Sequence, residues 1–244
     1  HHPIAVAAAE QGKHIILEKP LARTVEEGQT IVDAAKRARV KLMYAENFQY
    51  APSFVKAMEI VEEGGIGQPF MATGREAHSG PHSRWFYDLN LAGGGALIDL
   101  GIHDVQLLRV LVKSEIKEVC ATTMKTQQDL SVEDNAVATM RFSNQSLGTL
   151  EESWTTKGGY DIRIELYGSE GILVINPTRM APLQVFSATG IGYAGEKVEF
   201  TSGWTYPIPD ELSAFGYIQE IEHFVRSVTE DKEPNTSGED GLAA

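Results

Sequence analysis

Three things are scarce in this sequence: cysteine, positive charge and long apolar runs. One cysteine in 244 residues, Cys120, excludes an intramolecular disulfide, and such cysteine usage is ordinary in the reducing cytoplasm. The 21 basic residues stand against 34 acidic ones, a formal net charge of −13. Without a basic cluster, that charge opposes binding to nucleic acid or anionic lipid. No segment approaches the roughly 18 apolar residues of a membrane span, so we expect a cytoplasmic protein that binds neither nucleic acid nor membrane.

The first part of the chain alternates between helix and strand signals. Residues 3–11 are rich in alanine, and residues 15–17 form a short apolar run typical of a buried parallel strand. Thr24, with Glu27 three residues later, predicts a capping box at the start of a second helix. A second apolar strand follows at residues 41–44. This rhythm is typical of a doubly wound α/β sheet, in which ligands bind beyond the carboxyl ends of the strands.

After residue 46 the character of the sequence changes, and from residue 117 to residue 200 the pattern is mainly that of β-strands. Cys120 falls within one of these strands, and we expect it to be a small buried hydrophobe. A final helix over residues 211–228 carries an apolar stripe. The strand candidates are residues 68–78, 117–125, 135–142, 146–156, 161–168, 171–176 and 183–186. We therefore expect a domain boundary near residue 46, followed by a large, mostly antiparallel sheet.

Three consecutive glycines, Gly93 to Gly95, lead into an apolar helix that we predict from Ala96 to Leu111. Asp99 and His103 lie four residues apart, so on a helix their side chains point the same way. The glycines leave room for close approach of backbone or of a substrate. Because the helix is apolar on several sides, its two polar residues need an explanation. They are either a satisfied buried ion pair or a catalytic acid and base, and these residues alone leave both interpretations open.

A second glycine pattern, from Gly190 to Gly195, literally matches G-x-G-x-x-G. In a βαβ unit that pattern holds a dinucleotide pyrophosphate at a helix N-terminus. Here the following residues, 196–200, alternate like a strand, and no βαβ unit surrounds them. We therefore interpret the match as a loop between strands.

Several short motifs together indicate a known family. The most specific are the strand end Glu18-Lys19-Pro20 and the glycine-led helix with Asp99 and His103. The segments that carry the resemblance are residues 2–14, 18–21, 64–67, 93–103, 221–224 and 233–234. Across essentially its whole length the chain resembles the Gfo/Idh/MocA family of NAD(P)-dependent oxidoreductases.

The resemblance implies an α/β fold in two parts. Residues 1–46 would be the C-terminal part of a Rossmann dinucleotide-binding domain, a partial doubly wound domain. Residues 47–244 would form an α/β domain with a large, mostly antiparallel open sheet that binds substrate and forms a homodimer or homotetramer. The family's first βαβ unit and its last helix have no counterpart in these residues, so we expect them outside the sequence given.

The resemblance also implies an activity: hydride exchange between NAD or NADP and a hydroxyl or ketone of a sugar, sugar derivative or cyclitol. By analogy His103 is the base, Lys19 steadies the oxygen and contacts the cofactor, and Asp99 binds a substrate hydroxyl or orients the pair. Taken alone, Lys19 would be an ordinary solvated strand-end lysine. The implied cofactor-binding residues are His2, Glu18, Lys19, Pro20 and Asn47. The implied substrate-binding residues are Arg84, Trp85, Tyr87, Asp99 and His103, with core packing an equal alternative for Trp85.

Two other functions remain as alternatives. One is a lyase or glycosidase that oxidises a sugar carbon transiently, with no net redox change. The other is a non-catalytic module that dimerises through its sheet. A catalytic metal is not expected, because His78, His82 and His103 lack the tight ligand spacing of a metal site.

Overall fold

Two parallel strands and two helices form the N-terminal unit. The computed structural model describes residues 1–126, 130–178, 185–187, 201–205 and 210–244. Strand β1 (Ile15–Glu18) pairs in parallel with β2 (Leu42–Ala45), and helices α1 (His2–Glu10) and α2 (Val25–Ala38) contact each other. The predicted order of helix, strand, helix and strand is thus confirmed. The apolar core of the unit contains Ala5, Ala9, Ile15, Leu17, Ile31, Val32, Leu42 and Tyr44.

Helix α2 begins with half of the predicted capping box. The Thr24 hydroxyl accepts the backbone N–H of Glu27 at 3.2 Å. The Glu27 carboxylate accepts the backbone N–H and side chain of Arg23 instead of the N–H of Thr24. The second bond of a capping box, from the N-cap backbone N–H to the Glu27 carboxylate, is therefore made one residue earlier, by Arg23. The Arg23 guanidinium also pairs with that carboxylate.

A short connection leads from β2 to the larger sheet. A 3₁₀ turn at Asn47–Tyr50 is followed by helix α3 (Pro52–Glu62). Phe54, Ala57 and Val61 of α3 are buried, at the spacing of a single helical face. These residues join the main hydrophobic core.

The main sheet has six strands and is antiparallel except for one pair, as predicted. Its strands are β3 (Pro69–Ala77), β4 (Ile116–Met124), β5 (Asn135–Phe142), β6 (Leu147–Ser153), β7 (Asp161–Gly168) and β8 (Gly171–Ile175). Their spatial order is β4-β5-β6-β3-β7-β8, and β3 with β6 is the parallel pair. A parallel pair requires a crossover, and the chain between β3 and β6 includes the glycine-led helix.

One face of this sheet is covered and the other is open. On the covered face, alternate residues such as Met140, Leu150 and Leu166 pack against α3 and against the helix after the glycines. On the open face the opposite residues line a shallow depression of about 580 Å³, among them Thr139 and Glu151. This alternation is the period-2 pattern of a sheet with one buried face.

The expected burial of Cys120 is wrong. Cys120 is exposed in β4, where all residues after Ile116 are exposed. Because β4 is the outermost strand, its side chains have few neighbours on either face. An apolar β-pattern predicts the strand but not its position in the sheet.

The glycine-led helix is interrupted, whereas we predicted a continuous one. After α4 (Leu89–Ala92), helix α5 (Ala96–Asp99) ends at Asp99, and α6 (Gly101–Val112) begins after the single residue Leu100. Leu107, Leu108 and Leu111 of α6 are buried in the main core. At the break, the backbone N–H of His103 donates to the Leu100 carbonyl at 3.0 Å, and the Asp99 carbonyl accepts Lys19 instead.

The C-terminal part contains a two-stranded ribbon and three helices. Strand β9 (Val185–Ser187) pairs antiparallel with β10 (Gly203–Thr205). The predicted helix 211–228 is divided at Gly216 into α7 (Glu211–Ala214) and α8 (Tyr217–Thr229). Gly216 has φ +86°, and a Cβ there would overlap the Asn47 carbonyl. The Gly190–Gly195 motif and the first part of the strand candidate 183–186 lie outside the described residues.

Phe215 of the apolar stripe predicted for the last helix is buried in the main core, but most of the stripe does not face the described core. Ile218, Ile221 and Val225 are each about half exposed, at 45%, 51% and 54%. The polar residues Glu220 and Ser227 are buried instead. Helix α9 (Gly238–Ala243) contacts α2 and β2, so the end of the chain adjoins the N-terminal unit.

Candidate active site

A buried ion pair joins the end of β1 to the glycine-led helix. Lys19 Nζ donates to Asp99 Oδ1 at 2.8 Å and to the Asp99 backbone carbonyl at 2.6 Å. The other carboxylate oxygen of Asp99 accepts the indole N–H of Trp154 at 3.1 Å. Both side chains are mostly buried, at 20% and 11% exposed. Since three bonds hold this carboxylate and ammonium, the pair is oriented by the structure.

The pKa shifts of the pair keep both groups charged. Burial by itself would lower the pKa of Lys19, but the surrounding carboxylates, Asp99 foremost, raise it above its ordinary value. Burial likewise opposes ionisation of Asp99, but Lys19 lowers its pKa below its ordinary value. The site therefore presents a fixed ammonium group at neutral pH.

His103 is hydrogen-bonded to a glutamate that follows β2. Its Nδ1 lies 2.8 Å and 2.7 Å from the two carboxylate oxygens of Glu46. The ring of Phe48 meets the imidazole edge-to-face at 4.9 Å between centroids. Asp99 and His103 thus face one site with separate partners, and the simple helix ion pair between them is not formed.

Burial has opposite effects on the two members of this second pair. Burial, assisted by Lys19, lowers the pKa of His103 to about 4, so the imidazole is neutral at physiological pH. Burial raises the pKa of Glu46 to about 8, although Lys19 opposes that shift. The pair can hold one proton near neutrality, but a full imidazolium is disfavoured.

A cavity of about 730 Å³ opens beside the Lys19–Asp99 pair. Its wall includes Trp85 and Phe86, whose rings stack at 3.8 Å between centroids. Trp85 is 47% exposed, so it is not a core residue in the described structure. The predicted residues that line this cavity are His2, Glu18, Lys19, Pro20, Trp85 and Asp99. A cavity of this size, with an aromatic wall and a charged floor, suits a small ligand.

The other predicted site residues lie elsewhere. Arg84 is exposed and is not among the described residues that line the cavity. Tyr87 packs edge-on against Trp154 at 5.7 Å. Asn47 is buried, and its side-chain amide donates to the Phe215 carbonyl at 2.8 Å, fixing the junction of α7 and α8. Cofactor or substrate contact by these three residues stays a prediction.

Glu133 fixes the glycine loop. Its carboxylate accepts hydrogen bonds from the backbone N–H groups of Gly95 and Leu97, each at 3.0 Å. Its backbone carbonyl accepts a hydrogen bond from the backbone N–H of Ala96. The first turn of α5 is therefore satisfied by a segment next to β5. This anchor holds Asp99, at the other end of α5, against Lys19.

We expect Gly95→Ala to destabilise the protein by about 1–3 kcal/mol. A Cβ at this position would overlap the Glu133 carbonyl, which would displace the segment that caps α5. Urea denaturation is the measurement. The control is Gly171→Ala, whose Cβ would meet only ordinary contacts of 3.4 Å or more; equal stability of the two variants would contradict the role of this close approach.

Further carboxyl groups are buried on the sheet side of His103. Glu76 in β3 lies beside Glu152 in β6 in the strand register, and Asp104 packs against the backbone of Gly74. Within the described part of the chain, several of their oxygens have no hydrogen-bond partner. Burial raises the pKa of all three acids, to about 7 for Glu76. Asp104 also raises the pKa of Glu152, because a negative charge beside a buried carboxylate disfavours its ionisation.

Protein stability is expected to fall as pH rises from about 5 to about 8. An acid whose folded pKa lies above its unfolded value binds a proton on folding, so its stabilising contribution is lost as pH rises through the folded pKa. Glu152→Gln removes one such charge and should stabilise the protein at about pH 8 by about 1–3 kcal/mol, with a shallower pH dependence. Urea titrations at several pH values test this. A variant less stable than wild type at alkaline pH would contradict it.

Three residues of the site were missed from sequence: Glu46, Trp154 and Glu133. Glu46 follows a parallel strand, the same location that drew attention to Lys19, and this signal could have found it. Trp154 and Glu133 belong to no sequence motif that would mark them as site residues. They reach Asp99 and Gly95 only because the ends of β5 and β6 pack against α5.

Comparison with known proteins gives the family. The sequence model "GFO/IDH/MocA C-terminal domain" matches residues 54–174, and "Oxidoreductase family, NAD-binding Rossmann fold" matches residues 1–46. A levoglucosan dehydrogenase of Pseudarthrobacter phenanthrenivorans is 30% identical over 99% of this chain and 71% of its own length. The chain belongs to the GFO/IDH/MocA family. It is therefore an NAD(P)-dependent oxidoreductase with a partial Rossmann segment and a mostly antiparallel open sheet, as the resemblance implied.

Other relatives agree with this membership. The myo-inositol 2-dehydrogenase of Thermotoga maritima is 28% identical over 100% of this chain and 71% of its own length. Among solved structures, GenD2 from gentamicin A biosynthesis, in complex with NAD, has a TM-score of 0.94 at 29% identity, over 100% of this chain and 69% of that one. A levoglucosan dehydrogenase complex with NADH and levoglucosan has a TM-score of 0.80 at 32% identity, over 99% and 71%.

The described residues of the oxidoreductase contain neither a metal-binding cluster nor a membrane-spanning helix. Within the described residues, no group of three or more His, Cys, Asp or Glu side chains is arranged to hold a metal ion. None of the helices in the described ranges combines the length and apolar character that crossing a bilayer requires.

Proposed function

We propose that this protein oxidises a hydroxyl of a sugar, sugar derivative or cyclitol, or reduces the corresponding ketone, with NAD or NADP. The observation that carries the proposal is the convergence of Lys19 from β1 with Asp99 and His103 from the glycine-led helix. An ammonium, a carboxylate and a neutral imidazole suit removal of a hydroxyl proton. The dehydrogenase names of the relatives support the substrate class.

Each of these three residues has a proposed role. His103 accepts the hydroxyl proton, because its imidazole is neutral and can act as a base. Lys19 stabilises the developing alkoxide with its fixed positive charge. Asp99 orients Lys19 and accepts a second substrate hydroxyl. Trp85 provides an apolar ring face on which a sugar or nicotinamide ring can stack.

The residues at the end of β1 fit the nicotinamide end of the cofactor. Glu18, Lys19 and Pro20 lie at the carboxyl end of a parallel strand and line the cavity of about 730 Å³. His2, at the start of α1, lines the same cavity. NAD supplies the hydride acceptor when bound there, while the protein supplies orientation and charge.

We propose the domain division and assembly on similar grounds. Residues 1–46 would belong to the dinucleotide-binding domain and residues 47–244 to the substrate-binding domain, which separate family matches support. The open sheet face would form a homodimer or homotetramer, since β5 exposes Val137 there at 52%. Sedimentation equilibrium of the full-length protein tests the assembly. The exposed thiol of Cys120 suits a reducing cytoplasm.

An activity assay tests this function: the full-length protein is mixed with NAD or NADP and with each member of a panel of levoglucosan, inositols and aldoses. Accumulation of reduced nicotinamide in proportion to substrate consumed would support a dehydrogenase. Substrate cleavage without net reduced nicotinamide would favour the lyase or glycosidase alternative. Absence of both turnover and nucleotide binding would favour a non-catalytic dimerisation module.

A further inference from the structure

The strongest unassigned feature is Glu46, the buried partner of His103. It follows β2, where the backbone turns into the 3₁₀ segment, and its side chain is fully buried. Both of its oxygens lie within 2.8 Å of His103 Nδ1. A buried carboxyl is unfavourable unless it is well paired, so this placement at the candidate base calls for a chemical explanation.

The Glu46–His103 bond determines which form of His103 faces a substrate. If Glu46 is ionised, Nδ1 carries the shared proton and Nε2 keeps a lone pair, the form of a base. If Glu46 is protonated, it donates to Nδ1, and Nε2 carries the imidazole proton, the form of an acid. Among the described residues, both hydrogen bonds of the His103 ring are made by Nδ1. The same heavy-atom geometry therefore serves both directions of a hydroxyl–ketone conversion.

We propose that Glu46 is a positioning residue that acts through His103, exchanging the Nδ1 proton with it as Nε2 takes or returns the proton of the substrate hydroxyl. This inference rests on the proposed dehydrogenase function. During oxidation, the hydroxyl O–H bond breaks and its proton goes to Nε2, while the Nδ1 proton passes to the Glu46 carboxylate. The C–H bond pair leaves as hydride to the oxidised nicotinamide. Charge and protons balance, and reduction is the reverse.

The charges around the pair favour this exchange over a lasting imidazolium. Burial and the ammonium of Lys19 disfavour positive charge on His103. Burial and nearby Glu18 favour the neutral form of Glu46. The titratable groups that interact electrostatically with one or both members are Glu18, Lys19, Tyr44, Glu76, Asp99, Asp104 and Glu220. Transfer of the proton to Glu46 leaves the pair without the imidazolium charge that this environment opposes.

A purely structural role for Glu46 would have a different signature. A carboxylate that only orients the ring holds one tautomer at every pH in the working range. A proton-exchanging carboxyl instead couples its own titration to the tautomer of His103. The pH dependence of the ring nitrogens therefore separates the two roles without any catalytic assay.

The first experiment is a ¹⁵N NMR titration of the full-length protein with labelled histidine, with the His103 signals assigned by His103→Gln. We expect Nδ1 and Nε2 to exchange protonated character with a midpoint near 8, the pKa of Glu46. Glu46→Gln should abolish this step. The matched control is Glu220→Gln, another buried glutamate with a pKa raised to about 8 and no bond to His103. It should retain the step, with a lower midpoint because Glu220 and Glu46 repel each other. The proposal would be overturned if the ¹⁵N chemical shifts of the His103 ring did not change with pH in wild type. It would also be overturned if the step persisted in Glu46→Gln.

The second experiment measures kcat against pH in the oxidation direction. Wild type should gain rate as pH rises through the same midpoint, because ionised Glu46 leaves Nε2 unprotonated. In Glu46→Gln, kcat should fall about 10²-fold, its rise with pH should disappear, and KM should change little. In Glu220→Gln, kcat and its rise with pH should both be kept. An unchanged profile in Glu46→Gln would overturn the inference. If wild type turns over no polyol, the proposed function fails, and the NMR titration still decides whether the pair exchanges a proton.

Discussion

His103→Ala is expected to lower kcat for oxidation of the best polyol by about 10²–10⁴-fold, the usual contribution of a general base. The side chain is buried beside Lys19 and Asp99 and is neutral because its pKa is lowered to about 4. Loss of the base removes the acceptor for the hydroxyl proton but no described contact of the cofactor cavity. The dissociation constant of NAD(H) should therefore change little. Steady-state kinetics and a nucleotide titration together are the measurement.

The control for this prediction is His14→Ala. His14 is an exposed histidine whose Nδ1 accepts the backbone N–H of Lys41 at 2.9 Å, and it does not line the cavity. We expect its kcat to stay within about twofold of wild type, as for a surface substitution. If His103→Ala left turnover unchanged, the base assignment would be wrong, and Lys19 would become the candidate to test next.

Lys19→Met is expected to lower kcat/KM by about 10³-fold, because it removes the positive charge that stabilises a developing alkoxide. It also leaves the buried Asp99 carboxylate with Trp154 as its remaining side-chain partner. The pKa of Asp99, which Lys19 now lowers, should then rise, since burial is no longer opposed. Lys19→Arg should rescue poorly, because a planar guanidinium cannot reproduce the two short ammonium bonds.

A double variant tests whether Lys19 and Asp99 act as one unit. The loss in Lys19→Met/Asp99→Asn should be close to that in Lys19→Met alone, because residues that share one interaction are not additive. Lys56→Met is the matched control, since Lys56 forms an exposed pair with Glu59 on α3. Fully additive losses would show that the two residues contribute independently, contrary to the geometry of the site.

A local motif marks each of the three residues predicted to be catalytic, and the structure brings these residues close together. Lys19 lies in a strand-end tripeptide, and Asp99 and His103 lie in a glycine-led helix, so each could be singled out from its neighbours. The partners that these residues bind could not be predicted from the sequence. Lys19 meets Asp99 across 80 residues of chain, and His103 meets Glu46 across 57. Spacing placed Asp99 and His103 on one helix face and left an ion pair between them open, but in the structure each binds a different partner, Lys19 for Asp99 and Glu46 for His103.

The fold prediction shows the same division. Alternation and apolar runs placed every strand of the six-stranded sheet to within about three residues, the accuracy expected for element boundaries. The same signals misplaced Cys120 and the stripe of α8. A periodic pattern states that one face is apolar, but it does not say whether the described part of the chain covers that face.

The sequence by itself determined the class of fold and the order of the elements, and its short motifs carry the resemblance that names the candidate catalytic residues. These follow from local propensity, from side-chain periodicity and from short motifs, which are properties of neighbouring residues. Only the tertiary structure decided that Glu46 stands behind His103, that Trp154 and Lys19 hold Asp99, and that Glu133 caps the glycine loop. The physical reason is that burial removes water as a competing partner, so these polar groups pair with whichever groups the packing of strands and helices brings within reach.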